Sequence, residues 1–122
     1  MYELEDHHWW FRGKRLLIAE TIRHLRKNDC PIMLDTGCGT GVMSKELAKF
    51  GKVLGVDVSA EALRFYKLRG LNGVLADITE LPFEDESFDF VIASDVLEHI
   101  YDDFKALNEL KRVVKEDGYI II

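Results

Sequence analysis

Ile32-Met33-Leu34-Asp35-Thr36-Gly37-Cys38-Gly39-Thr40-Gly41-Val42-Met43 is the stretch on which the fold turns. A short apolar run ends in a carboxylate, three alternate glycines follow, and helical spacing then resumes with Met43, Leu47 and Phe50 at i, i+4 and i+7. Strand, sharp turn and helix is the reading. The glycines let the backbone turn where any Cβ would collide, and the opening amides of the helix add hydrogen-bond donors.

The same alternation continues outward. Apolar runs at Ile32 to Asp35, Val53 to Asp57, Gly73 to Ala76, Phe90 to Ser94 and Tyr119 to Ile122 read as strands. Between them, Ala62, Leu63 and Tyr66 mark one helix face, and Leu107, Leu110 and Val114 another. Ile18, Ile22 and Leu25 give a further helix, running roughly from Arg12 to Lys27 ahead of the first strand. The crossover from Asp77 to Ser87 lacks helical periodicity and is expected to be extended. These elements predict an α/β, Rossmann-like open parallel sheet with helices on both faces.

At 122 residues, 48% apolar, the chain is long enough for one core, and no linker or repeat divides it. One domain over residues 1–122 is expected, with a head and helix over 1–28 and a βαβ core over 29–122. A formal charge of −6 argues against nucleic acid or anionic lipid as partner. The start Met1-Tyr2-Glu3-Leu4-Glu5-Asp6 lacks the pattern of a signal peptide, and no apolar run is membrane-length, so a soluble cytoplasmic protein is expected. Cys30 and Cys38 lack the spacing of a zinc site and read as reduced thiols.

Asp57 stands twenty residues beyond Gly37, at the end of the second strand, where a carboxylate can accept from both hydroxyls of a ribose. The third strand ends at Ala76-Asp77-Ile78, placing a carboxylate and an apolar side chain suited to an adenine on the same rim. The fourth ends at Ala93-Ser94-Asp95-Val96-Leu97-Glu98-His99. In an open parallel sheet these ends line one crevice where strand order reverses.

Asp35 to Gly41, Asp57, Ala76-Asp77 and Asp95 to His99 resemble the successive motifs of the class I S-adenosylmethionine-dependent methyltransferases, in a type 11-like domain. Ser87-Phe88-Asp89-Phe90-Val91 and Glu116-Asp117-Gly118-Tyr119 match as well. The resemblance implies strand order 3-2-1-4-5, S-adenosylmethionine as cofactor, and methyl transfer to a small-molecule acceptor by in-line displacement. It implies that Gly37, Gly39 and Gly41, with Thr36 and Cys38, pass beneath the methionine portion. Asp57, with Val58 beside it, would hold the ribose, and Asp77 with Ile78 the adenine; Ser94 and Asp95 complete the rim. Asp35 would organise the loop or meet the ligand's amino group through water. The Gly-x-Gly-x-Gly form differs from the dinucleotide fingerprint, which leaves a nicotinamide oxidoreductase as a minor alternative.

If the acceptor is a hydroxyl, His99, Glu98, His7 and His8 are the candidate bases, and a side chain merely fixing the turn is the competing role for His99 and Glu98. Asp95-x-x-Glu98-His99 also resembles the metal ligands of some methyltransferase branches, but one carboxylate-rich turn is incomplete for an octahedral cation, so no metal site is assigned. The head His7-His8-Trp9-Trp10-Phe11 resembles the His-Trp-Trp-Phe heads of a bacterial branch; Trp9, Trp10 and Phe11 are lid candidates, with a hydrophobic plug as the other reading. From Asp77 to Asp103 there are ten acidic residues and no Lys or Arg, a solvated acidic face by first reading. Relative to the family, the last two strands are missing after Tyr119-Ile120-Ile121-Ile122. That predicts a truncation or a partner over this edge, a homodimer being the concrete form, and it leaves a cofactor-binding or partner-binding module without turnover as the alternative function.

Overall fold

The computed structural model describes residues 2–94 and 103–122, and side chains from Gly13 onward within them. Its elements run α1 (Tyr2–Leu25), β1 (Ile32–Thr36), α2 (Val42–Leu47), β2 (Lys52–Asp57), α3 (Ala60–Leu68), β3 (Asn72–Leu75), β4 (Phe88–Ile92), α4 (Asp103–Val113) and β5 (Val114–Ile121). The sheet has the order β3-β2-β1-β4-β5, as expected, and every pairing is parallel.

Alternate side chains divide the core between the two faces of this sheet. Met33, Phe90 and Ile92 pack with Ile18 and Ile22 of α1 and Leu47 of α2. Leu34, Val56 and Val91 point the other way, onto Ala106, Leu110 and Val113 of α4. A third cluster, Cys38, Leu63 and Tyr66, lies under α3.

The structure moves several expected boundaries. α1 begins ten residues before Arg12 and ends at Leu25. The fourth strand starts at Phe88 and ends at Ile92, short of Ser94. Val114 opens β5 rather than closing the helix stripe, and Val113 takes its place in the core. Pairing between β4 and β5 jumps from Phe88↔Val114 to Phe90↔Tyr119, so the continuous ladder resumes at the expected Tyr119. Tyr119, Ile120 and Ile121 are half-buried against the core, and Ile122 is exposed.

The crossover without a helix is held in place by α4. Arg112 donates to the carbonyls of Leu81 at 2.9 Å and Phe83 at 2.7 Å, and to Asp85 at 2.9 Å. Its other bonds go to both carboxylate oxygens of Glu109, which itself accepts from Leu81 N–H at 2.6 Å. This planar fork satisfies backbone groups that a helix would have satisfied internally. Asp89 does comparable work near the amino end of β4, accepting from Ile32 N–H at 2.8 Å and from Lys115 at 3.2 Å. Part of the acidic stretch is thus structural, while Glu80, Glu84 and Glu86 are exposed.

Arg112→Ala should lower unfolding stability by about 1 to 3 kcal/mol, because it strips a charged donor from two carbonyls and from the Glu109 carboxylate, which are only partly open to water, as well as from the exposed Asp85. Urea unfolding measures this, and Arg112→Lys should recover little, since an ammonium cannot form the fork.

Candidate functional site

The site starts where β1 gives way to its loop. Gly37, Gly39 and Gly41 have φ of 66°, 55° and 98°, a region in which side chains other than glycine are strained. Cys38 N–H donates to the Val56 carbonyl at 3.0 Å and Gly41 N–H to the Cys38 carbonyl at 3.1 Å, folding the loop back over the end of β2. Gly39 N–H then donates to Asp57 Oδ2 at 2.8 Å, while Ser59 N–H reaches Oδ1 at 2.9 Å. Loop and carboxylate are therefore one unit. Where a Cβ on Gly39 would project, no atom of the described residues beyond its chain neighbours lies within 4 Å, so among these residues the loop borders open space beside Asp57.

Asp57 uses one acceptor position on each oxygen for these amides. A carboxylate has about four, which leaves capacity for hydroxyl donors. Ala76 N–H donates to the Asp57 carbonyl at 3.1 Å, setting the end of β3 beside it. Asp77, next along, is exposed and accepts from Thr79 N–H at 2.9 Å and its hydroxyl at 2.8 Å; these bonds hold its carboxyl below the usual range. Ile78 instead lies in the core with Leu34, Val56 and Leu81, so most of its surface is spent on packing. Val58 is exposed, Ser94 half-buried, and Thr36 buried with its hydroxyl donating to the Ile92 carbonyl at 2.7 Å.

Asp35 is the other carboxylate of the site, and it is only 3% exposed. Ser44, from the first turn of α2, donates to Asp35 Oδ2 at 2.6 Å, and the Tyr66 hydroxyl from α3 donates to Ser44 Oγ at 2.9 Å. Burial pushes the Asp35 carboxyl from 3.8 up to about 6, with Asp57 adding to the rise and the Ser44 bond opposing it. Burial likewise pushes the Cys38 thiol up to about 12, with Asp35 and Asp57 contributing, so Cys38 is a neutral packing group rather than a nucleophile.

Sequence reasoning brought the glycine loop, Asp35, Asp57 and Asp77 to one rim, and the structure places them together. It did not find Ser44 or the role of Tyr66, which reads simply as part of a helix stripe. Asp95, Glu98 and His99 lie outside the described residues. Trp9, Trp10 and Phe11, like His7 and His8, fall within α1 but outside the described side chains. Among the described residues no cluster of three or more His, Cys, Asp or Glu could hold a metal, and no helix is long and apolar enough to cross a membrane.

Because the native state holds the Asp35 proton more tightly than the unfolded chain, stability should fall as pH rises from about 4 to about 6 and stay reduced above that. Asp35→Asn keeps an acceptor for Ser44 but cannot ionise. It should lack this loss and be more stable than the natural protein above pH 6 by up to about 3 kcal/mol, read from urea unfolding at stepped pH.

Residues 34–122 match the family model described as a methyltransferase domain. An uncharacterised protein of Methanocaldococcus jannaschii is 35% identical over 97% of this chain and 57% of its own length. An uncharacterised methyltransferase of Schizosaccharomyces pombe is 33% identical over 98% of this chain and 47% of its own. Among solved structures, an S-adenosylmethionine-dependent methyltransferase of Methanosarcina mazei is 31% identical with a TM-score of 0.73, covering 81% of this chain and 54% of that one. The chain thus spans about half the length of the curated relatives it matches. With its matched residues running from inside β1 to the end of β5, and with the sheet order and glycine loop described above, the chain belongs to the methyltransferase domain family, in its Rossmann-like form.

Proposed function

We propose that this chain binds S-adenosylmethionine at the rim of β1, β2 and β3 and serves methyl transfer to a small-molecule acceptor. The observation that carries the reading is the Gly39 N–H to Asp57 Oδ2 bond of 2.8 Å beside space that is open among the described residues: a side-chain-free cradle tied to a carboxylate with acceptor capacity to spare. A ribose diol supplies two donors that such a carboxylate can take. The Methanosarcina mazei structure, which bears this cofactor dependence in its name, supports the same ligand.

When bound, the cofactor supplies a methyl group already activated on a sulfonium. The chain's own contribution is placement. Gly37, Gly39 and Gly41 would let the backbone lie against the methionine portion, and Asp57 would fix the ribose. Asp77 would meet the adenine amino group while Thr79 keeps its carboxylate ionised and oriented. Holding an acceptor atom in line with the methyl and excluding competing water can lower a barrier by about 7 to 11 kcal/mol, so no nucleophile of the protein is needed. Asp57, Asp77 and the net charge of −6 favour a neutral or cationic acceptor over a phosphorylated one.

Calorimetric titration with S-adenosylmethionine, and with its demethylated product, tests this reading. Both should bind, and Asp57→Ala should weaken both by about 1.5 to 3 kcal/mol through loss of charged hydrogen bonds. Absence of heat with the natural protein would remove the cofactor assignment, and unchanged affinity in the variant would remove the ribose role. A methyl-transfer assay over neutral and cationic acceptors then separates binding from turnover.

A further inference from the structure

Three glycines from three different elements make room for one side chain. A Cβ on Gly55 of β2 would stand 2.5 Å from both Cζ and the hydroxyl of Tyr66. One on Gly73 of β3 would stand 2.9 Å from Cδ1, and one on Gly41, just before α2, 2.8 Å from Cδ2. The ring is fully buried in the space so cleared. A phenylalanine would keep the ring in place and leave vacant only the small share of that space next to Gly55, so the ring's volume does not account for the hydroxyl.

What the hydroxyl does is visible in its partners. It donates to Ser44 Oγ, and Ser44 donates onward to Asp35 Oδ2 at 2.6 Å, the length of a charge-assisted bond. A hydroxyl that accepts one hydrogen bond becomes a better donor of the next, so Tyr66 strengthens the Ser44 bond to the carboxylate. Asp35 in turn stands two residues before Gly37. The chain of three side chains therefore runs from α3, through α2, to the head of the glycine loop.

We propose that Tyr66 and Ser44 are positioning residues for the ligand site, acting through Asp35: they keep its buried carboxylate charged and aimed, so that negative charge is retained at the head of the loop for the cationic end of the ligand. The ligand half of this proposal rests on the cofactor reading given above; the control of Asp35 does not. Among the described residues, the titratable groups that interact with Asp35 are Asp57 from β2, Cys38 from the loop and Tyr66 from α3, while α2 presents the Ser44 hydroxyl, β4 presents apolar Ile92 in register with it, and α1 packs apolar Ile18 and Ile22 on the same sheet face. Cys38 and Tyr66 are both held neutral by burial, so neither offsets the carboxylate at ordinary pH.

The test has two readouts on the full chain. Carbon-13 NMR titration of the Asp35 carboxyl without ligand should give a midpoint near 6 in the natural protein. The midpoint should move upward in Tyr66→Phe and further upward in Ser44→Ala, with the thermal midpoint of Tyr66→Phe close to that of the natural protein. Calorimetry with S-adenosylmethionine should then show affinity weakening as pH falls through the Asp35 midpoint. In Tyr66→Phe the affinity should be about threefold to tenfold lower near that pH, converging on the natural value well above it. An Asp35 midpoint unmoved in Tyr66→Phe overturns the proposal, as does a moved midpoint with affinity unchanged at every pH. Should the natural protein bind no cofactor, the function proposed above fails; the ligand-free titration still decides whether Tyr66 and Ser44 govern Asp35.

Discussion

Parallel pairing forces every strand of this sheet to end on the same rim, and the rest of the molecule follows from that constraint. Each strand must be carried back outside the sheet before the next begins, so the chain turns at the carboxyl ends of β1, β2 and β3 in close succession. Those turns bring Asp35, the glycine loop, Asp57 and Asp77 within one neighbourhood although they span more than forty residues of sequence. The hydrogen bond from Gly39 to Asp57 welds two of the turns together. Nothing about either residue alone would make a site; the sheet makes them neighbours.

The rim is also where polarity is allowed to penetrate the core. Asp35 is nearly inaccessible, yet it carries a carboxylate that burial and Asp57 both oppose. The opposing support comes from Ser44 and Tyr66, both buried, whose hydroxyls form a hydrogen-bonded chain ending on the carboxylate. Away from the rim the buried side chains among the described residues are apolar, and the polar network of Arg112 and Glu109 lies nearer the surface, where it replaces the missing crossover helix.

Periodicity and turn chemistry were enough to read the five strands, their order by resemblance, the glycine loop and Asp57, because each rests on local spacing. What escaped depends on contacts across the fold. Tyr66 registers as one more apolar position of a helix face, since a burial pattern carries no information about where a hydroxyl points. Arg112 looks like an ordinary basic residue near a helix end until Leu81 and Phe83 are seen to lie against it. Val114 fits the helical stripe as well as it fits a strand, and only pairing with Phe88 decides the matter. The full length of α1 is not legible in the sequence because its first half mixes charges and aromatics without a clear apolar period.

The nest of glycines around Tyr66 has an evolutionary corollary. Gly41, Gly55 and Gly73 cannot individually acquire a methyl group while the phenol ring remains, and a smaller residue at 66 would leave a void bordered by all three. Four positions scattered over the chain are therefore epistatic: a lineage could exchange one arrangement for another only by shrinking the ring first and enlarging its neighbours afterwards.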